Sequence, residues 1–146
     1  MGIKRQAREC ALQILYQLDT ASSPSAGAVD DAIRRFFENF DSPDRSREYA
    51  EGMVRSVVAA RDEIDALIQR HSPRWRVERM ALVDRNVLRV GSWELQRDAE
   101  TPPRVVIDEA VEVAKRFGAE QSAAFVNGVL DGIAREVGRL PAKDAS

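Results

Sequence analysis

Positive charge is concentrated at the start of the first predicted helix, in the segment IKRQAREC at residues 3–10. A helix N-terminus already carries about half a positive charge from its aligned peptides, so Lys4 and Arg5 each cost about 0.3–1 kcal/mol there. The whole chain is nearly neutral, with 22 basic and 24 acidic residues, so any binding to a polyanion must come from a local patch. These charges therefore need a purpose other than stabilising the helix.

Catalytic and metal-binding candidates are few. The sequence has no glycine-rich phosphate loop, no dinucleotide-binding fingerprint and no His, Cys or carboxylate cluster with the spacing of a metal site. The only histidine, His71, falls in a predicted interdomain break, and the only cysteine, Cys10, falls on an apolar helix stripe. We therefore expect a linker histidine and a small core residue, in a protein without enzymatic activity or cofactor.

The composition is that of a small globular protein. A chain of 146 residues that is 44% hydrophobic can bury a real core and suits one domain or two small halves. One cysteine excludes an internal disulfide, and the first residues contain no apolar run that could serve as a signal peptide. Every apolar run is far shorter than the roughly 18 residues of a membrane span, so we expect a cytoplasmic protein.

Apolar residues repeat at helical spacing along almost the whole chain, and no stretch alternates long enough to indicate a strand. The pattern predicts helices at about residues 3–18, 29–39, 44–70, 79–97, 102–117 and 121–137. Thr101 is expected to cap the fifth helix and Gly118 to end it. HSPRW at 71–75 divides the chain, because the residue before Pro73 is pushed away from helical geometry. We expect an all-α fold of two small helical bundles packed side by side, about 1–72 and 73–140, with a disordered tail at 141–146.

The first helix carries a second apolar signal opposite its core stripe. Arg5, Arg8, Leu12 and Tyr16 fall within a sector of about 80° when positions are placed 100° apart. Arginine and tyrosine are favoured at interface centres, so this face could bind another macromolecule. The alternative is that Leu12 and Tyr16 pack against the neighbouring half of the same protein. Spacing alone leaves the two interpretations equally open.

The last two predicted helices bring aromatic, basic and glycine residues together. Phe125 points away from the core stripe beside Gly128 and Gly132, which indicate close approach of another backbone or a ligand. Lys115 and Arg116 end the preceding helix, where the dipole alone explains positive charge. Phe125 could stack a nucleobase, although packing within the chain is the preferred interpretation from spacing. The expected core residues are Ile107, Ala110, Val111, Ala114 and Phe117 in the fifth helix and Val126, Leu130, Ile133 and Val137 in the sixth.

Arginine is dense between residues 68 and 89. The basic residues there are Arg70, Arg74, Arg76, Arg79, Arg85 and Arg89, against only Glu78 and Asp84. Arginine outnumbers lysine 19 to 3 in the chain, which would suit bidentate phosphate contacts. A GC-rich genome produces the same bias without any function, and this is the preferred explanation.

Three segments carry a resemblance to a known family. ARECALQILYQLD at 7–19, ALVDRNVLRVGSWEL at 81–95 and VVIDEAVEVAKRFGAEQSAAFVNGVLD at 105–131 closely resemble the bacterial transcription antitermination factor NusB family. The resemblance runs from about Lys4 to Val137, and the DEAVEVAK, FG and FVNGVLD elements keep the family's order and spacing. It implies a NusB-like all-α fold of about seven helices without enzymatic activity.

The resemblance also implies an RNA-binding adaptor. Family members pair with NusE, a small-subunit ribosomal protein, and the pair binds single-stranded box A RNA of ribosomal RNA leaders, which helps RNA polymerase pass terminators. Members often carry a denser N-terminal arginine run, which predicts weaker RNA binding by this protein alone. Tyr16 matches a position that meets NusE, with Leu12 on the same face. The implied RNA-binding residues are Lys4, Arg5, Arg8, Lys115, Arg116, Gln121 and Phe125.

Two other functions are also compatible with the sequence. One is an RNA-binding module like that fused to some ribosomal RNA cytosine methyltransferases, and such an enzyme would need a glycine-rich cofactor loop and catalytic cysteines that this sequence lacks. The other is a helical scaffold that binds only proteins, which RNA binding would exclude. A homodimer formed through the face of Leu12 and Tyr16 is also left open.

Overall fold

Every regular element in the described residues of the computed structural model, 2–20 and 22–142, is helical. The all-α prediction is therefore confirmed. Residues 143–146 of the predicted tail lie outside the described residues. The helices are α1 Ile3–Leu18, α2 Ala26–Asn39, α3 Asp44–Ala59, α4 Arg61–Arg70, α5 Leu82–Arg97, α6 Pro103–Phe117 and α7 Ser122–Glu136, with a 3₁₀ turn at Val77–Arg79.

The start of α2 is set by a side-chain cap. The helix begins at Ala26, before the predicted Val29, because the hydroxyl oxygen of Ser25 accepts the N–H of Ala28 at 3.1 Å. Such a cap satisfies one of the N–H groups that a first helical turn leaves without a partner. α5 begins at Leu82, later than the predicted Arg79, because residues 77–79 form the separate 3₁₀ turn.

The single helix predicted over residues 44–70 is two helices, so that prediction is wrong. α3 ends at Ala59 and α4 begins at Arg61, with Ala60 between them at φ −102° and ψ 15°. No proline or glycine lies at the break. The guanidinium of Arg61 instead donates hydrogen bonds to the carbonyl oxygens of Thr20 at 2.8 Å and Ser22 at 3.2 Å. These hydrogen bonds join residues distant in sequence, so apolar periodicity could not predict the break.

The predicted cap of α6 is also wrong. The Thr101 hydroxyl donates to the Asp98 carboxylate at 2.6 Å, and the other carboxylate oxygen accepts the Thr101 N–H at 3.1 Å. Asp98 thus closes the α5–α6 connection as an Asx turn, and the helix begins later, at Pro103. Arg139 fixes the same connection, because its guanidinium donates to the carbonyl oxygens of Leu95, Asp98 and Thr101 at 2.8, 3.1 and 2.7 Å.

The chain forms two compact units, Met1–Arg61 and Asp62–Ser146. The division lies after Arg61, so the boundary predicted near residue 72 is wrong. α4 belongs with the second unit because Asp65 pairs with Arg89 of α5 and Arg70 pairs with Glu136 of α7. In the first unit α1 contacts both α2 and α3, and in the second α5, α6 and α7 contact one another. Fully buried side chains at these contacts include Ile14, Met53 and Val57 in the first unit and Leu88, Ile107 and Leu130 in the second.

A buried ion pair joins α4 to α5. The guanidinium of Arg89 donates to both carboxylate oxygens of Asp65, at 2.8 and 3.0 Å, and a third donor lies 3.3 Å from the amide oxygen of Asn86. Arg85 in the same helix donates to the carbonyl oxygen of Glu78 at 2.9 Å. Two of the arginines that the sequence places in a basic segment therefore hold the second unit together.

Candidate nucleic-acid interface

The first turn of α1 has no negative charge to offset its basic residues. No acidic residue lies in that turn, and Gly2 at the N-cap supplies no side-chain hydrogen bond. Arg5 is exposed, whereas Lys4 is half-buried, with its amine 5.8 Å from the ring centroid of Tyr49. The α1 N-terminus therefore presents a cationic surface at the positive end of the helix dipole.

The face of α1 that the sequence predicts as an exposed strip is largely buried. Leu12 is 4% exposed and Arg8 is 8% exposed, while Tyr16 is half-buried. α1 contacts both α2 and α3, so more of its circumference is covered than a single apolar stripe predicts. The exposed-strip interpretation is therefore wrong for Leu12 and Arg8. Cys10 lies on the buried stripe as predicted, and burial raises the pKa of its thiol.

The turn from α6 to α7 carries three of the residues that the family resemblance assigns to RNA binding. Lys115, Arg116 and Gln121 are all exposed. Gly118 ends α6 as predicted, but its φ of −95° is not left-handed. It is glycine because an added Cβ would lie 2.6 Å from the Ser122 hydroxyl oxygen and 2.7 Å from the Ala114 carbonyl oxygen. The absence of a side chain lets the chain reverse tightly, which keeps the last turn of α6 close to the first turn of α7.

The turn also exposes an aromatic residue, Phe117, that the sequence does not predict at the surface. Phe117 is predicted in the core, yet it is 55% exposed, with the guanidinium of Arg116 5.0 Å from its ring centroid. The prediction is wrong because position 117 is the last residue of α6, where the apolar stripe runs past the core. Its place directly before Gly118 was the available signal. Phe125 is half-buried, and the core stripe of Val126, Leu130 and Ile133 on the same helix is buried as predicted.

The electrostatics of this turn favour an anion. The first turn of α7 contains no acidic residue, and Gln121 at its N-cap makes no side-chain capping bond. The positive end of the α7 dipole attracts phosphate oxygens, although the Ser122 N–H already donates to the Ala119 carbonyl oxygen at 3.0 Å. Lys115 lies 3.8 Å from Glu112, but both side chains are well exposed, so this pair is weak. Glu120 is the one acidic side chain among residues 115–125, and it reduces the local positive charge.

Gly132 accommodates a side chain from the end of α4. An added Cβ there would lie 2.6 Å from Nδ1 of His71, whereas a Cβ on Gly128 would meet nothing within 4 Å. His71 in turn hydrogen-bonds Glu136 at 2.9 Å. Hydrogen bonds from Arg70 and then from His71 lower the pKa of the Glu136 carboxyl to about 2. A close neighbour is therefore present at Gly132, but it is the imidazole of this same chain and not the predicted backbone or ligand, and at Gly128 the described structure shows no close approach.

Among the residues that the structure describes, no group of three or more His, Cys, Asp and Glu side chains is arranged to hold a metal ion. No helix in the described part of the chain has the length and apolar character needed to cross a membrane.

The helices and the cationic groups at their ends define the class: a small all-α protein with surfaces suited to an anionic polymer. Its family follows from comparison with known proteins. The NusB family model matches residues 5–135, and the chain belongs to the NusB family. The resemblance found in the sequence is thereby confirmed.

Relatives agree over nearly the whole chain. Transcription antitermination protein NusB of Myxococcus xanthus is 47% identical over 134 residues, covering 92% of this chain and 96% of the relative. The protein of that name from Anaeromyxobacter sp. strain Fw109-5 is 51% identical over 136 residues, covering 92% of both. The chain is therefore a member of a family of transcription antitermination proteins.

Solved structures show the same fold. T. maritima NusB matches with a TM-score of 0.79 at 35% identity, covering 91% of both chains. Antitermination factor NusB in a crystal structure with NusE and double-stranded RNA matches with a TM-score of 0.75 at 29% identity, covering 92% of this chain and 97% of that one.

Proposed function

We propose that this protein is a non-enzymatic RNA-binding adaptor that pairs with NusE and binds single-stranded box A RNA in the RNA polymerase antitermination complex of the cytoplasm. Membership of the NusB family over residues 5–135 carries the proposal. A relative of the same fold crystallised with NusE and double-stranded RNA supports pairing with NusE and binding of RNA, and the single-stranded box A target is taken from the family resemblance. The adaptor needs no cofactor, because its task is to hold two macromolecules together.

The proposed RNA contacts use the two cationic groups described above. Lys4 and Arg5 lie at the start of α1, and Lys115 and Arg116 lie in the last turn of α6. Each phosphate neutralised on a single strand adds about 0.7 to the slope of log affinity against log salt, so four contacts predict a slope of about −3. Arg8 is not among these contacts, because only 8% of it is exposed.

Base recognition is assigned to the α6–α7 turn. The exposed amide of Gln121 has both a donor and an acceptor for a base edge, and the exposed ring of Phe117 offers a stacking surface. Phe125 is half-buried and adds a second, smaller aromatic surface. Stacking tolerates many sequences, so the amide contact would contribute the sequence preference.

Tyr16 is the proposed contact with NusE. Leu12 is buried and Tyr16 is half-buried, so of these two residues Tyr16 alone has side-chain surface accessible to a partner. Tyrosine supplies a large contact area together with a hydroxyl, which suits it to an interface centre. The same surface would serve a second copy of the chain, so a homodimer is the competing use.

The test is the affinity for a fluorescent box A RNA oligonucleotide at fixed salt, measured by anisotropy with and without NusE. We expect NusE to tighten RNA binding, because each partner adds contacts to one RNA. Lys115→Ala/Arg116→Ala should weaken binding and reduce the salt slope by about 1.4, which is two contacts of about 0.7. Lys4→Ala/Arg5→Ala should act similarly.

The matched control is Arg34→Ala/Arg35→Ala, which removes two exposed charges from α2. This variant should bind RNA with nearly the affinity of the unaltered protein. A folded protein that binds no box A RNA, with or without NusE, would refute the adaptor function and favour a scaffold that binds only proteins.

A further inference from the structure

A solvent-facing tryptophan lies in the turn between α4 and α5. Trp75 is 63% exposed, the highest value among the large hydrophobic residues of the described chain. It belongs to the segment Pro73–Arg76, all four residues of which are exposed. On either side the chain is anchored, since Ser72 is 3% exposed and Val77 is 4% exposed. The turn therefore projects a large apolar ring into water from two buried ends.

This turn is held in one conformation by the side chain of Gln69. Its amide nitrogen donates to the carbonyl oxygens of Ser72 and Trp75, both at 3.0 Å. Its amide oxygen accepts the N–H of Val77 at 3.1 Å. The Trp75 N–H also donates to the Ser72 carbonyl oxygen at 3.0 Å. A backbone fixed at so many points presents the indole without the entropy cost of ordering a loose loop.

Arginines flank the tryptophan directly. Arg74 and Arg76 are both exposed, and Arg79 is exposed within the following 3₁₀ turn. The nearest acidic residue in sequence, Glu78, lies 3.4 Å from Arg76, with both side chains about 70% exposed. A pair so exposed is weak, so it does not prevent Arg76 from contacting another anion. The turn thus combines a ring for stacking with cations on both sides in the sequence.

We propose that Trp75 stacks on an unpaired base of single-stranded RNA while Arg74 and Arg76 contact the neighbouring phosphates. This inference rests on the proposed function, to which it adds an RNA contact separate from the α1 start and the α6–α7 turn. Single-stranded nucleic acid is bound by this combination, because every base has a face to stack and every linkage has a charge. An apolar protein surface is less well matched, because it would desolvate the two guanidinium groups without pairing them, whereas phosphates pair with both.

The test compares Trp75→Ala, Trp75→Phe and the Arg74→Gln/Arg76→Gln variant in binding a single-stranded box A RNA, with NusE present. Loss of one stacked base should weaken binding by roughly 5- to 150-fold. Phenylalanine keeps a stacking face, so Trp75→Phe should retain most of the affinity. The double arginine variant should reduce the salt slope by about 1.4. Phe40→Ala is the matched control, because Phe40 is an exposed aromatic residue without flanking arginines.

Intrinsic fluorescence gives a second readout. The chain has two tryptophans, and a stacked base quenches indole emission. RNA should quench the unaltered protein, and most of this quenching should disappear in Trp75→Phe. Circular dichroism of each variant checks that the helices remain.

Two results would overturn the inference and leave the proposed function intact. One is RNA binding by Trp75→Ala equal to that of the unaltered protein, with quenching unchanged in Trp75→Phe. The other is weaker capture of NusE by Trp75→Ala with RNA affinity unchanged, which would make the turn a protein contact. Absence of RNA binding by the unaltered protein, with or without NusE, would refute the proposed function and this inference together.

Discussion

Replacing Arg89 by alanine should strongly destabilise the second unit. The Arg89 side chain is 5% exposed and the Asp65 side chain 24%, so truncation leaves a carboxylate largely shielded from water without its bidentate partner. Removing one member of a buried pair costs about 3–5 kcal/mol. Because Asp65 retains some contact with water, we expect the lower end, a loss of about 3 kcal/mol in the free energy of unfolding.

Urea unfolding followed by circular dichroism measures this loss. For a chain of this size, about 3 kcal/mol also predicts a melting temperature lower by roughly 6–12 °C. Arg89→Lys keeps the charge but not the paired donors, so it should lose less than Arg89→Ala. The double variant Asp65→Ala/Arg89→Ala should lose less stability than the sum of the losses in the two single variants, with a coupling free energy of about 1–3 kcal/mol.

Arg34→Ala is the matched control. Arg34 pairs with Asp31 and Glu38 at 3.2 and 3.0 Å, but its side chain is 58% exposed. Its removal should cost less than about 1 kcal/mol. A similarly small effect of Arg89→Ala would refute the reasoning, because it would mean that water solvates Asp65 well enough to replace the guanidinium.

Three further substitutions test other features of the structure. Gly118→Ala places a methyl group only 2.6 Å from the Ser122 hydroxyl oxygen and 2.7 Å from the Ala114 carbonyl oxygen, and should lower the free energy of unfolding by about 1–3 kcal/mol in urea titrations. Glu136→Gln removes a carboxyl whose pKa of about 2 lies below its usual 4.5, chiefly through Arg70. The stabilisation should be present above pH 4.5 and lost as the pH falls toward 2, and since the side chain is 36% exposed it should stay below about 1 kcal/mol. Melting temperatures of the two proteins should therefore converge in acid. Gln69→Ala should loosen the turn it bridges, seen as faster hydrogen exchange at the amide bonded to its oxygen, while distant amides stay protected.

Helix positions and core stripes could be predicted because they depend on local periodicity. The stripe of Val126, Leu130 and Ile133 is buried as predicted, and α1 ends where its apolar pattern ends. The break at Ala60 could not be predicted in this way, because it coincides with hydrogen bonds from Arg61 to a loop distant in sequence. Local patterns contain no information about such contacts.

The candidate site was predicted in part for the same reason. Exposure of Lys115, Arg116 and Gln121 follows from their place at helix ends, and the structure shows it. Burial of Leu12 and exposure of Phe117 depend on how many neighbours surround each helix, which a single helical projection omits. That these residues serve RNA or NusE comes from the family resemblance, and their individual roles stay predictions.

The carbonyl-binding arginines have a consequence for how this protein responds to salt. Arg61 and Arg139 donate to loop carbonyl oxygens over short, direct hydrogen bonds, and dissolved ions screen such contacts little. The proposed phosphate contacts of Arg5 and Arg116 release counterions and so weaken steeply as salt rises. Arginine thus both fixes loops and makes the proposed phosphate contacts in this protein, and only the phosphate contacts depend strongly on ionic strength. If the proposed phosphate contacts form, rising salt would release the RNA while the hydrogen bonds that fix the loops persist, so that lowering the salt again would restore binding.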